Sequence, residues 1–91
     1  MESNGTIVAA IRRFDMRSPW LFRDSIAASL DAVNAQLFHE IWVEAVADRH
    51  WRQSDLAASA REASSALQQQ FAFLERDAAD VVANAAAYQW R

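Results

Sequence analysis

From Pro19 to Arg91 the chain reads PWLFRDSIAASLDAVNAQLFHEIWVEAVADRHWRQSDLAASAREASSALQQQFAFLERDAADVVANAAAYQWR, with no glycine and no second proline. Glycine and proline are the costliest residues inside a helix, and alanine, abundant here, is the cheapest. Apolar residues recur along the stretch at steps of three and four, which places them on one side of a helix. The fold class read from this pattern is all-α.

Two long helices are expected within it. Ser18-Pro19 is a start signal: serine can cap, and proline at the first helical position loses nothing by lacking its N–H. A helix over about 19–49 would carry the stripe Phe22, Ile26, Leu30, Val33, Leu37, Ile41 and Ala45. A second, over about 54–89, would carry Leu56, Ala60, Ala63, Leu67, Phe71, Leu74, Ala78, Val81, Ala85 and Tyr88. Between them, residues 48–55 form a polar run in which Ser54 can cap and Asp55 can meet the positive helix end. A turn around 50–54 is expected, because one unbroken helix over the whole stretch would be roughly 105 Å long and would need multimeric support. Two successive steps of four, at 33–37–41 and at 63–67–71, fall opposite each other when the chain is folded near residue 52. Such matched stutters suit two helices held in register.

Upstream, residues 1–5 are expected to be disordered. A short helix over about 6–16 has Ile7, Ile11 and Phe14 on one side and Arg12 and Arg13 off it. Residues 6–91 then form a single helical domain. A chain of 91 residues buries only about 60% of the surface its unfolded form exposes. It has no cysteine for disulfides or thiolate ligands, so self-association is the expected supplement. Trp42, Phe38, Phe73 and Val82 lie beside the main stripes and widen them past what one neighbour covers. The expected architecture is therefore a long antiparallel hairpin preceded by a short helix, dimerising into a four-helix bundle.

Charge is segregated. Arg12, Arg13, Arg17 and Arg23 outnumber Glu2 and Asp15 at the start, whereas Asp24, Asp31, Glu40, Glu44 and Asp48 follow with no arginine among them. The net charge of −3 and that acidic stretch argue against a nucleic-acid duplex as partner. The basic leader is expected to attract the acidic helix.

Glu40, Glu44 and Asp48 form a carboxylate row beside His39. Carboxylate-bridged metal bundles place a Glu three residues before a His, and neither His39 nor His50 has one. The row reads as a solvated or partner-facing acidic face, and His50 as part of the turn. Ser59, Ser64 and Ser65 stand in alanine-like helical contexts. No catalytic, metal or cofactor residues are assigned. The function expected is a non-enzymatic protein-interaction module (adaptor, small chaperone, inhibitor or scaffold) that is cytoplasmic, works as a homo-oligomer and has a further protein partner. Its interaction residues are expected to be Phe38, Trp42, Glu40, Glu44, Phe73, Val82, Arg12, Arg13 and Trp90. The alternative is an amphipathic coat protein whose residues 6–17 insert at a membrane or granule surface. No run is long enough for an integral span.

The end of the chain, Ala85-Ala86-Ala87-Tyr88-Gln89-Trp90-Arg91, is apolar and aromatic where a terminus ordinarily turns polar and frays. Trp20, Tyr88 and Trp90 are expected to cluster and seal the open end of the hairpin, with Phe14 and Ile11 laid over them.

Overall fold

A computed structural model describes residues 2–52 and 55–90, with side chains from Gly5 onward. The described residues are helical and contain no strand. Five α-helices follow in order: α1 (Glu2–Arg13), α2 (Phe22–Ala28), α3 (Ala32–Ala45), α4 (Leu56–Gln70) and α5 (Arg76–Gln89). Short 3₁₀ turns occupy Pro19–Leu21 and Asp48–His50.

Each of the two expected long helices is broken. A helix over 19–49 would be about 46 Å long, longer than the 37 Å greatest dimension of the molecule. The first break lies at Ser29-Leu30-Asp31. The Ser29 hydroxyl donates to the Ile26 carbonyl at 2.8 Å, a local bond that competes with helix continuation. Asp31 then turns extended (φ −73°, ψ 174°), and its side chain accepts from the Asn34 N–H at 2.8 Å, capping α3. In one continuous helix Phe22 and Trp42 would stand about 30 Å apart. Here their ring centroids are 5.8 Å apart, and Phe38 is also 5.8 Å from Phe22. The cap therefore exchanges one long stripe for a core of converging aromatics.

The second break, Phe71 to Glu75, is a tight reversal. The Phe71 N–H still reaches the Leu67 carbonyl at 2.8 Å, and the Leu74 N–H closes a turn onto the Phe71 carbonyl at 2.8 Å. Leu74 is buried there. Glu75 and Asp77 then open α5, where acidic groups favour a helix start. α4 and α5 run antiparallel across this turn and form the most extensive helix pair in the molecule. The closest antiparallel pair is therefore joined at 71–75; the interruption expected around 50–54 is also present, since α3 ends at Ala45, α4 starts at Leu56 and the two helices pack together. The stutter at 63–67–71 runs past the end of α4, and Val33, assigned to the buried stripe, is 76% exposed. The actual inner face of α3 is Asn34, Phe38, Ile41, Trp42 and Ala45.

Local starts differ too. α1 already begins at Glu2, within the stretch expected to be disordered, and ends before Phe14. The Phe14 N–H closes its end onto the Ile11 carbonyl at 3.2 Å, and Asp15 beyond it accepts the Arg17 N–H at 3.0 Å. Ser18 makes no side-chain cap bond, and Pro19 opens a 3₁₀ turn before α2 begins at Phe22. The cap expected at Ser54 lies outside the described residues; Asp55 caps α4 by accepting from the Ala57 N–H at 3.0 Å.

α5 is the helix that the rest of the fold gathers around. Ala78, Ala79, Val82, Ala83, Ala85 and Ala86 are all buried, and these small side chains let α1, α3 and α4 approach it closely. Ile7, Ala10 and Ile11 of α1 are buried in the same core. No helix among the described residues is long and apolar enough to cross a membrane.

Candidate interaction surface

One end of the molecule is apolar and open. The 3₁₀ turn places Trp20 on the C-terminal part of α5, with ring centroids 5.7 Å from Tyr88. Trp20 nevertheless remains 60% exposed. Pro19, Trp20, Arg23, Ala85 and Tyr88 line a cleft whose floor is Trp42. On the other side of Tyr88 a second cleft continues between α4 and α5, lined by Leu56, Ala57, Ala60, Asn84 and Ala87. It runs on along the helix pair past Arg61 and Ala83 to Ser64, Gln68, Arg76 and Asp80. Isolated exposed apolar residues are ordinary; a continuous apolar surface is what marks an interaction site.

The expected aromatic seal forms in part. Trp20 and Tyr88 meet, Phe14 packs edge-on against Phe22 at 5.1 Å, and Ile11 is buried. Trp90 goes elsewhere: its indole N–H donates to the Val46 carbonyl at 3.1 Å, tying the end of α5 to the end of α3. Trp90→Ala is expected to lower stability by about 1 kcal/mol, the net worth of such a bond. Limited trypsin cleavage should then increase at Arg49 and Arg52, beside the released α3 end, and not at Arg12 or Arg13. Unchanged cleavage at all four sites would remove the tie from the account.

The other expected interaction residues scatter. Phe38, Trp42 and Val82 are buried within the single chain, so the width they add to the stripes is consumed by the chain's own helices. Phe73 is half-buried and pairs with Phe71 at 6.4 Å. Arg12 bonds to both oxygens of Asp77 at 3.0 Å and to Glu75. Arg12 of the basic leader thus meets the start of α5, and only Arg23, bonded to its neighbour Asp24 at 3.2 Å, touches the acidic stretch among the described residues. These bonds hold the Arg12 guanidinium above its ordinary pKa and the Asp77 carboxyl below its own. Asp15, bonded by the Arg17 side chain, is likewise lowered. Arg13 and Glu40 are exposed.

Glu44 is not on a solvated row. It turns inward to a polar knot that joins α3, the second 3₁₀ turn and α4. His50, buried, places Nε2 2.6 Å from Glu44 Oε2 and Nδ1 3.4 Å from Glu62 Oε2. Arg49 also bonds Glu44. Burial of the Glu44 carboxyl raises its pKa, but hydrogen bonds from Arg49, His50 and Gln70 outweigh that and the net direction is downward. Beside the knot, the buried Trp51 indole donates to the Ala45 carbonyl at 2.8 Å. Sequence reasoning missed this knot because Glu44 and His50 are six apart, a spacing that no helical face brings together. Among the described residues no group of His, Cys, Asp and Glu is arranged to hold a metal ion.

Comparison with protein-family models, with characterised proteins and with solved structures finds no match for this chain.

Proposed function

We propose that this protein is a non-enzymatic, cytoplasmic helical interaction module of the adaptor, inhibitor, small-chaperone or scaffold class, and that it works as a homo-oligomer. The observation that carries the reading is the apolar surface around Tyr88, open on both sides, with Trp20 and Leu56 as its exposed rims. The dimer contact differs from the four-helix bundle expected of two long hairpins, because Phe38, Trp42 and Val82 are already covered. What remains to be covered is the α4–α5 outer face and its aromatic end. The surface-coating alternative gains no support: of Ile7, Ile11 and Phe14, the apolar face that would enter a lipid surface, the two isoleucines are buried in the core and Phe14 is half-buried.

Sedimentation velocity across the micromolar range tests the reading. Self-association is expected, with Tyr88→Ser weakening it by tenfold or more and leaving the circular dichroism unchanged. A folded monomer up to high micromolar concentration would overturn it.

A further inference from the structure

We propose that the groove between α4 and α5 seats the outward face of α3 from a second copy of the chain, with Glu40 of one copy against Arg61 of the other. The proposal rests on the self-association reading above and names the contact.

α3 presents an unpartnered stripe. Residues 33, 36, 40 and 43 follow one helix face. Val33 and Val43 on it are 76% and 52% exposed, and Gln36 and Glu40 between them are exposed as well. Two bare valines flanking a carboxylate are an odd choice for a face that only meets water. Among the described residues Glu40 enters no hydrogen bond or ion pair.

The groove offers the complement. Its floor is small, with Ala57, Ala60 and Ala83, so a third helix can approach to the usual interaxial distance of about 8–10 Å. Leu56 and Tyr88 stand at one end. Arg61 lines the flank and, like Glu40, has no partner among the described residues. Arg76 farther along has only Asp80, at 3.9 Å. Asp80, a carboxylate lining the groove, is already held by the Ser64 hydroxyl at 2.6 Å. An acidic chain thus keeps an unpaired arginine in this groove and an unpaired carboxylate on this helix face, among the described residues.

The register agrees. Running antiparallel to α4, α3 would put Val43 against Leu56 and Tyr88 when Glu40 meets Arg61. At 1.5 Å per residue, Val43 to Glu40 spans about 4.5 Å and Leu56 to Arg61 about 7.5 Å, a difference the long arginine side chain absorbs. Asp31 then falls about 13.5 Å beyond Glu40. Arg76, level with Gln68 across the pair, falls about 10.5 Å beyond Arg61. One apolar seat and two ion pairs coincide. Helix-in-groove docking works through such spaced anchors. If each copy places α3 in the other's groove the assembly closes as a dimer; a one-way contact would propagate.

Charge reversal tests this in the full chain. Sedimentation velocity is measured for the wild type, for Glu40→Arg, for Arg61→Glu and for an equimolar mixture of the two variants. Each variant alone should self-associate at least tenfold more weakly, because like charges then face each other. The mixture should recover wild-type affinity, since Arg at 40 meets Glu at 61 and the unchanged Glu40 meets the unchanged Arg61. Both positions are exposed, and circular dichroism checks the fold; Val43→Ser and Glu40→Gln, which introduce no repulsion, should weaken association in the same direction. Self-association that neither reversal alters, or a mixture that does not recover, would overturn this contact while leaving the self-association reading intact. A monomeric wild type would overturn both.

Discussion

Phe22→Ala is expected to cost this protein about 3–5 kcal/mol, the usual range for truncating a buried phenylalanine. The whole stability of a chain this long is of the order of 5–14 kcal/mol, at roughly 0.05–0.15 kcal/mol per residue, so the variant should be partly or largely unfolded on mild warming. The effect is large because of where α2 points. Phe22 is fully buried, and its ring meets those of Phe14, Phe38 and Trp42. Three segments separated in sequence lose a common contact at once. In a long hairpin, Phe22 would instead lie near an open end, and its loss would be far smaller. Urea denaturation followed by far-ultraviolet circular dichroism distinguishes the two. A loss below about 1 kcal/mol would mean that the break at Ser29-Leu30-Asp31 does not bring these rings together.

The second large effect is expected at the polar knot. Glu44→Gln keeps the shape and removes the charge that Arg49 and His50 address. At pH 7 it should cost about 1–3 kcal/mol, the range for leaving buried polar groups poorly paired. The pH dependence has a definite sign. The folded protein holds the Glu44 carboxyl below its ordinary value of 4.5. Ionised Glu44 therefore contributes stability above that value, and the contribution is lost as pH falls through the lower folded value. The gap between wild type and Glu44→Gln should be full at pH 7 and should shrink progressively as the pH is taken below 4.5. Asp15 and Asp77 are shifted in the same direction, but both proteins carry them, so they cancel in the difference. A gap that does not shrink at all as the pH falls, or none at pH 7, would mean that the charge of Glu44 is not what holds the knot.

Helix content was legible from Pro19 to Arg91 because nothing in the stretch opposes it. The interruptions were harder to see. Asp31 is an ordinary cap residue with Asn34 three positions on, yet it stands in an apolar pattern that continues through it at helical steps. A pattern of threes and fours says which side of each helix is apolar; it does not say that the helix goes on. The reversal at 71–75 was hidden for the same reason, since Phe71 and Leu74 keep the stripe's spacing while leaving the helix. What the aromatics do was half-legible. Trp20 and Tyr88 were paired from the return of the chain, although Trp90 found a carbonyl on α3. Phe38 and Trp42 looked like flank residues only because the stripe was centred on Val33; with α3 rotated, they become its inner face. The Glu44–His50–Glu62 knot depends on a 3₁₀ turn after α3, which no periodicity reports.

The seating of α1 carries a consequence for how the chain comes to be made. Arg12 reaches Asp77 and Glu75, more than sixty positions downstream. Its helix packs on α5 and α3. During translation, α1 is made well before α5, one of the two helices that receive it. At about 5–20 residues per second, the interval from residue 13 to residue 76 lasts roughly 3–13 s. For that time Ile7, Ile11 and the rest of α1 lack their seat on α5 and have α3 alone to pack on, whereas α4 and α5 close on each other almost as soon as both exist. The nascent chain thus carries an apolar segment in waiting, and any factor that greets it at the ribosome would meet this helix before the fold does.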